Sequence, residues 1–220
     1  DEMYYISQLP YLTEHDVVIC NGKYRKDRVI IYDKKIENRI TDAEEYFSVL
    51  GGIVSPGQAL IKKECIPNAW KENVLTGNYC DDAFLWMLMK NEGIKFAVNK
   101  EILYYHNEDG NNTSFQWTHT AAALEEMYKV IEERSLLEGN YEKKLQVCIQ
   151  EKVRKHKRYA RLEENFQKML DCKDGLKNYL KQNGIDTMAV YGYGYYGKRF
   201  IECMKECCVK VSYVIDKDAE

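Results

Sequence analysis

The spacing of apolar positions along this chain changes at about residue 115. Before that point they come as short β-branched runs broken by Gly, Pro and Asp; after it they return every three or four positions. "DVVICNGKY" (16–24) and "RVIIYD" (28–33) predict two strands joined by the turn-prone "GKYRKD". A third strand is expected at about residues 58–62, inside the Gly- and Pro-punctuated "GGIVSPGQALIKKECIP". Residues 3–14 predict a short helix with Met3, Ile6, Leu9 and Leu12 on one face. "TDAEEYFSVL" predicts another, with Thr41 and Glu44 spaced as a capping box. "CDDAFLWMLMKNEG" predicts a very apolar helix that opens at Asp81 and Asp82 and ends near Gly93. "KFAVN" and "ILYYH" predict further strands, leading into the polar loop "NEDGNNTS".

Helical patterns then run without Pro through "THTAAALEEMYKVIEERSLLEG" and "YEKKLQVCIQEKVRKHKRYARLEENFQKMLDCKDGLKNYLKQNG". In the second, Leu145, Ile149 and Val153 form an apolar stripe, continued less regularly by Leu162, Phe166 and Leu170. The basic cluster "RKHKRYAR" (154–161) reads either as a solvated face or as contact with an acidic surface, such as phospholipid or a pyrophosphate-linked acceptor. At the end of the chain, a strand at Met188–Tyr191 meets the G-x-G-x-x-G run of Gly192, Gly194 and Gly197. A helix and a strand at Val209–Ile215 follow, and Asp216 stands where a ribose-binding acid sits in a dinucleotide fold. This predicts one Rossmann-like βαβ unit, with glycines that serve either nucleotide binding or packing alone.

At 220 residues the chain is long enough for one or two domains. Its net charge of −3 gives no whole-chain field for nucleic acid. The eight cysteines show no zinc spacing: Cys203, Cys207 and Cys208 form C-x3-C-C without a second pair. With no secretory signal and no apolar run of 18 residues, reduced thiols in a cytoplasmic protein are expected. The chain opens without Met and closes directly after a strand pattern, so a segment of a longer protein is expected.

Asp81 and Asp82 have two compatible readings. Acids in a first helical turn satisfy orphan amides and complement the dipole. The order of motifs in residues 1–114 also resembles the second half of a family 2 glycosyltransferase of the GT-A fold. The features that carry this are the acid pair opening a helix that ends in Gly ("CDDAFLWMLMKNEG"), the strand pair "KFAVNKEILYYH" and the polar loop "NEDGNNTS" ending in Ser. "SPGQALIKKECIPNAW" is similar to a bacterial branch of that family.

The resemblance implies an α/β fold in three parts: a partial GT-A domain at 1–118, a helical extension at 119–184 and the start of a Rossmann-like domain at 185–220. It implies that Asp82 is the catalytic base and that Asp81 positions acceptor and base. It implies a divalent cation, Mg2+ or Mn2+, with Asp1 and His106 as candidate contacts, and a loop carrying Asp109 and Ser114 over the donor site. Gln116 and Trp117 lack the Arg of the processive Q-x-x-R-W motif. The implied reaction is therefore inverting, non-processive transfer of one sugar from a nucleotide-diphosphate donor to a glycan or lipid-linked acceptor. The expected place is the cytoplasm, with the inner face of the cell membrane as an alternative, and residues 1–220 alone are expected to be inactive. The competing readings are a nucleotide- or NAD-binding Rossmann protein and a non-catalytic scaffold.

Overall fold

The computed structural model describes residues 2–24, 28–77, 79–107 and 116–216. Asp1, Asp109 and Ser114 lie outside the described residues. The chain is mixed α/β and forms two compact units, one ending at Ala160 and the other beginning at Arg161.

The first unit is built on β1 (Val17–Tyr24), which pairs antiparallel with β2 (Ala59–Ile61) and parallel with β3 (Phe96–His106). Val17 to Cys20 are wholly buried, as an unbroken apolar strand covered on both faces must be. The two strands expected at "KFAVN" and "ILYYH" are one strand, β3, with a slipped register. Cys20 lies opposite Asn99, Asn21 opposite Ile102 and Gly22 opposite Tyr104. Asn99 Oδ1 accepts the Glu101 N–H at 3.0 Å, which secures the extra residues of the bulge. A Cβ on Gly22 would stand 2.6 Å from the Tyr104 carbonyl oxygen, so the strands approach too closely there for a side chain.

The strand expected at "RVIIYD" is reduced to a single bridge between Lys23 and Val29. The buried Asn21 side chain takes the place of its ladder. Its Nδ2 donates to the Ile31 carbonyl at 3.0 Å, and its Oδ1 accepts the N–H groups of Ile31 and Gly22, each at 2.8 Å. An amide side chain can imitate a peptide group in this way, and Ile30 and Ile31 then enter the core instead of extending a sheet.

Helix α1 (Glu2–Gln8) passes into a 3-10 turn at Leu9–Thr13, where Pro10 has no N–H to continue the α pattern. Met3, Ile6 and Leu9 are all more than half exposed. The helix is held instead by Tyr4, whose hydroxyl donates to the carbonyls of Gly57 (3.0 Å) and Ala59 (3.1 Å). The helix expected at "TDAEEYFSVL" is capped one residue later than predicted, and a second helix precedes it. These are α2 (Lys34–Thr41), capped by Asp33, and α3 (Ala43–Val49), capped by Asp42 through the Glu45 N–H at 3.0 Å. Thr41 closes α2 instead, its hydroxyl donating to the Glu37 carbonyl at 3.1 Å.

After α4 (Asn68–Glu72) comes α5 (Asp81–Asn91), buried on all sides from Phe84 to Lys90. It packs with Tyr46, Phe47 and Ile40, and with Met127, Ile131, Leu145 and Ile149 from α6 (Trp117–Arg134) and α7 (Gly139–Asp171). Each such side chain contributes roughly 1.5–3 kcal/mol of burial. The second unit contains α8 (Lys173–Gln182), β4 (Thr187–Tyr191), α9 (Tyr195–Glu206) and β5 (Lys210–Ile215). β4 and β5 run parallel, and Leu180, Cys203, Met204, Cys207 and Val209 form their core. All eight cysteines are free thiols. Among the described residues no helix is long and apolar enough to cross a membrane.

Candidate functional site

Cys80 is the N-cap of α5 and supplies no side-chain cap, so Asp81 and Asp82 occupy the first turn proper. There the helix dipole favours negative charge. Asp82 Oδ1 accepts the Ala83 N–H at 2.7 Å, which turns the carboxylate along the helix start. Asp81 is fixed through its backbone, its carbonyl accepting the indole N–H of Trp70 at 3.0 Å.

The segment leading into the acid pair is strapped to α6. Glu126 Oε1 accepts the Thr76 N–H at 2.8 Å and the Thr76 hydroxyl at 2.6 Å, and these bonds hold the Glu126 carboxyl below its usual range. The Tyr79 hydroxyl donates to Gln116 Oε1 at 2.8 Å, while its ring stacks on His119 at 5.3 Å with an interplanar angle of 9°. Sequence reasoning missed Trp70, Tyr79, His119 and Glu126. Tyr79, His119 and Glu126 join partners far apart in the chain, and no periodicity marks such pairs. Gln116 was singled out only for a motif it does not complete.

Asp82 is half-buried, and burial raises its carboxyl above the ordinary aspartate value. The negative charge of Asp81 adds to this rise, and the hydrogen bond from Ala83 opposes it. The same charge is felt beneath it. Tyr46 is raised well above the usual tyrosine value by burial and then by Asp82. The Cys80 thiol is pushed up to about 12 by burial, then by Asp82 and Asp81. A carboxylate in this setting is a stronger base than one in open water, and it stands at a helix start that fixes its direction.

His106 ends β3 with Nδ1 3.5 Å from the Tyr104 hydroxyl and its ring edge-on to Tyr24 at 5.4 Å. Among the described residues no three His, Cys, Asp or Glu side chains gather as ligands for a metal ion. With Asp1 outside the described residues, His106 is the one sequence-predicted metal contact that they include, and alone it does not fit a divalent cation.

In the second unit, Gly192 has a φ of +95°, where a side chain would be strained. A Cβ on Gly197 would lie 1.9 Å from the Gly192 carbonyl oxygen, whereas one on Gly194 would meet nothing within 4 Å. Asp216 accepts the Tyr193 N–H and so ties the end of β5 to the glycine loop. Beside them lies a groove of about 740 Å³ whose lining includes Tyr193, Gly194, Lys205, Val211, Val214 and Asp216. Comparison of the chain with protein-family models, curated proteins and solved structures finds no match.

Proposed function

We propose that this chain carries the acceptor-side catalytic machinery of an inverting, non-processive glycosyltransferase. The observation behind this is the Asp82 carboxylate, half-buried in the first turn of α5 and raised towards a useful basicity beside a second acid. An inverting transfer is one displacement at the anomeric carbon of a nucleotide-diphosphate sugar. The acceptor oxygen forms the new bond as the bond to the diphosphate breaks, and the electron pair leaves with the diphosphate. The hydroxyl proton goes to Asp82, while Asp81, its carbonyl held by the Trp70 indole, helps position the acceptor and the base. A divalent cation, when bound, would neutralise charge on the diphosphate; the described residues do not assemble its donors.

The test is Asp82→Asn in the protein made from its complete reading frame. Transfer is expected to fall by roughly 10²–10⁴, the usual worth of a positioned base, with the fold retained. In the wild type the rate should fall in acid as Asp82 is protonated, with a midpoint above that of an ordinary aspartate. Transfer at the wild-type rate in the variant would remove Asp82 from the reaction.

A second reading concerns the second unit, where the space beside Gly194 is open at the start of α9. A nucleotide phosphate approaching that backbone would need this space. A Cβ at Gly194 meets nothing within 4 Å, so Gly194→Val should fold while its bulk blocks that approach and abolishes nucleotide binding. Unchanged nucleotide affinity in the variant rules out the reading.

A further inference from the structure

We propose that the exposed face of α7 around Arg154, Lys155 and Arg158 is a docking surface for an anionic phospholipid bilayer. The proposal rests on this helix face and does not depend on the transferase reading. Residues 152–158 include Lys152, Arg154, Lys155, Lys157 and Arg158 and no carboxylate, in a chain whose net charge is −3. The concentration of positive charge is therefore local. Helical spacing of i, i+1 and i+4 puts Arg154, Lys155 and Arg158 on one exposed side, while Ile149 and Val153 turn into the core.

Little among the described residues neutralises this side. Lys157 is paired with Glu125 at 2.7 Å, and Glu151 is exposed one turn before Arg154. Among the described residues no carboxylate forms an ion pair with Arg154, Lys155 or Arg158. The resulting field reaches His156 on the same helix, whose protonated form is disfavoured by burial and then by Lys152 and Lys155.

The neighbouring side chains favour a bilayer over a polynucleotide. Trp117 stacks on His156 at 5.5 Å and lies 5.1 Å from Tyr159, whose ring centroid is 5.8 Å from Lys155 Nζ. Indole and phenol rings among cations are the residue types that settle at lipid headgroup level. Val147, 60% exposed, lies two turns before Arg154 on the same side. A helix face that sets exposed cations beside an exposed aliphatic residue suits a headgroup interface.

The test is co-sedimentation of the 220-residue chain with vesicles of phosphatidylcholine mixed with phosphatidylglycerol, against phosphatidylcholine alone. Binding is expected only to the mixed vesicles and should weaken as salt is raised. The triple variant Arg154→Gln, Lys155→Gln, Arg158→Gln should bind on the order of a hundredfold more weakly, about fivefold for each cation removed near an anionic surface. The triple variant Lys35→Gln, Lys63→Gln, Lys71→Gln removes equal charge elsewhere and should bind like the wild type. Equal weakening by both triples, or wild-type indifference to the mixed vesicles, overturns the proposal. So does a chain that ignores vesicles and instead binds a single-stranded oligonucleotide through these residues.

Discussion

At Lys90 a cationic side chain ends inside the core, with Nζ donating to the Ile40 carbonyl and 3.7 Å from the centroid of the Phe96 ring. Burial dominates over the favourable pull of Asp42 and lowers this ammonium to about 7 from the ordinary 10.5. The folded chain therefore sheds the proton near neutrality, while the unfolded chain holds it to much higher pH. The unfolded state binds more protons between the two values, so stability from this site rises as pH climbs through that window. Lys90→Met should flatten this slope. Relative to the wild type, the variant should gain stability at about pH 6 and lose that advantage by about pH 9. The lost bond to Ile40 costs on the order of 1–3 kcal/mol at either pH. Urea midpoints at the two pH values check this, and parallel pH dependence in both proteins contradicts it. Asp82 is the counterpart at the opposite end of the same helix. There burial raises an acid, and the group stays partly open to solvent, where it can react.

Among the elements, the glycine loop of the second unit makes the sharpest demand. Gly197→Ala sets a methyl against the Gly192 carbonyl and must push α9 away from the loop after β4. It should destabilise the second unit by roughly 1–3 kcal/mol or more, as overpacking does. Gly194→Ala, facing open space, should be nearly neutral, and amide exchange across β4, α9 and β5 separates the two. The βαβ order here was legible because strand, glycine and helix signals follow one another locally. The burial of β1 and the start of α5 were legible for the same reason: an apolar run and an acid pair are visible without any partner. Three features were hidden. The Asn21 side chain replaces a strand ladder, a substitution that no alternation pattern encodes. The bulge joining "KFAVN" to "ILYYH" depends on where β1 lies. Thr41 and Asp42 are both good caps, and the choice between them follows from α2 ending where α3 begins. At the candidate site, the acids were visible, but the strap from Tyr79 and Thr76 to Gln116, His119 and Glu126 exists only in the folded chain.

Across the whole molecule, charge and burial are arranged to different ends in different places. The acid pair is partly withdrawn from water at a helix start, whereas the cations of α7 are left facing it. In the proposed account the first arrangement serves proton removal, and the second serves attachment to an anionic surface that could hold a lipid-linked acceptor. The central claim is sugar transfer with Asp82 as base. The most direct measurement is acceptor-dependent release of nucleoside diphosphate from nucleotide sugars, by the protein from its complete reading frame and its Asp82→Asn form. The account predicts release by the wild type that depends on both donor and acceptor and is lost by roughly 10²–10⁴ in the variant. Equal release by the two proteins, or none by the wild type across donors and acceptors, would contradict it.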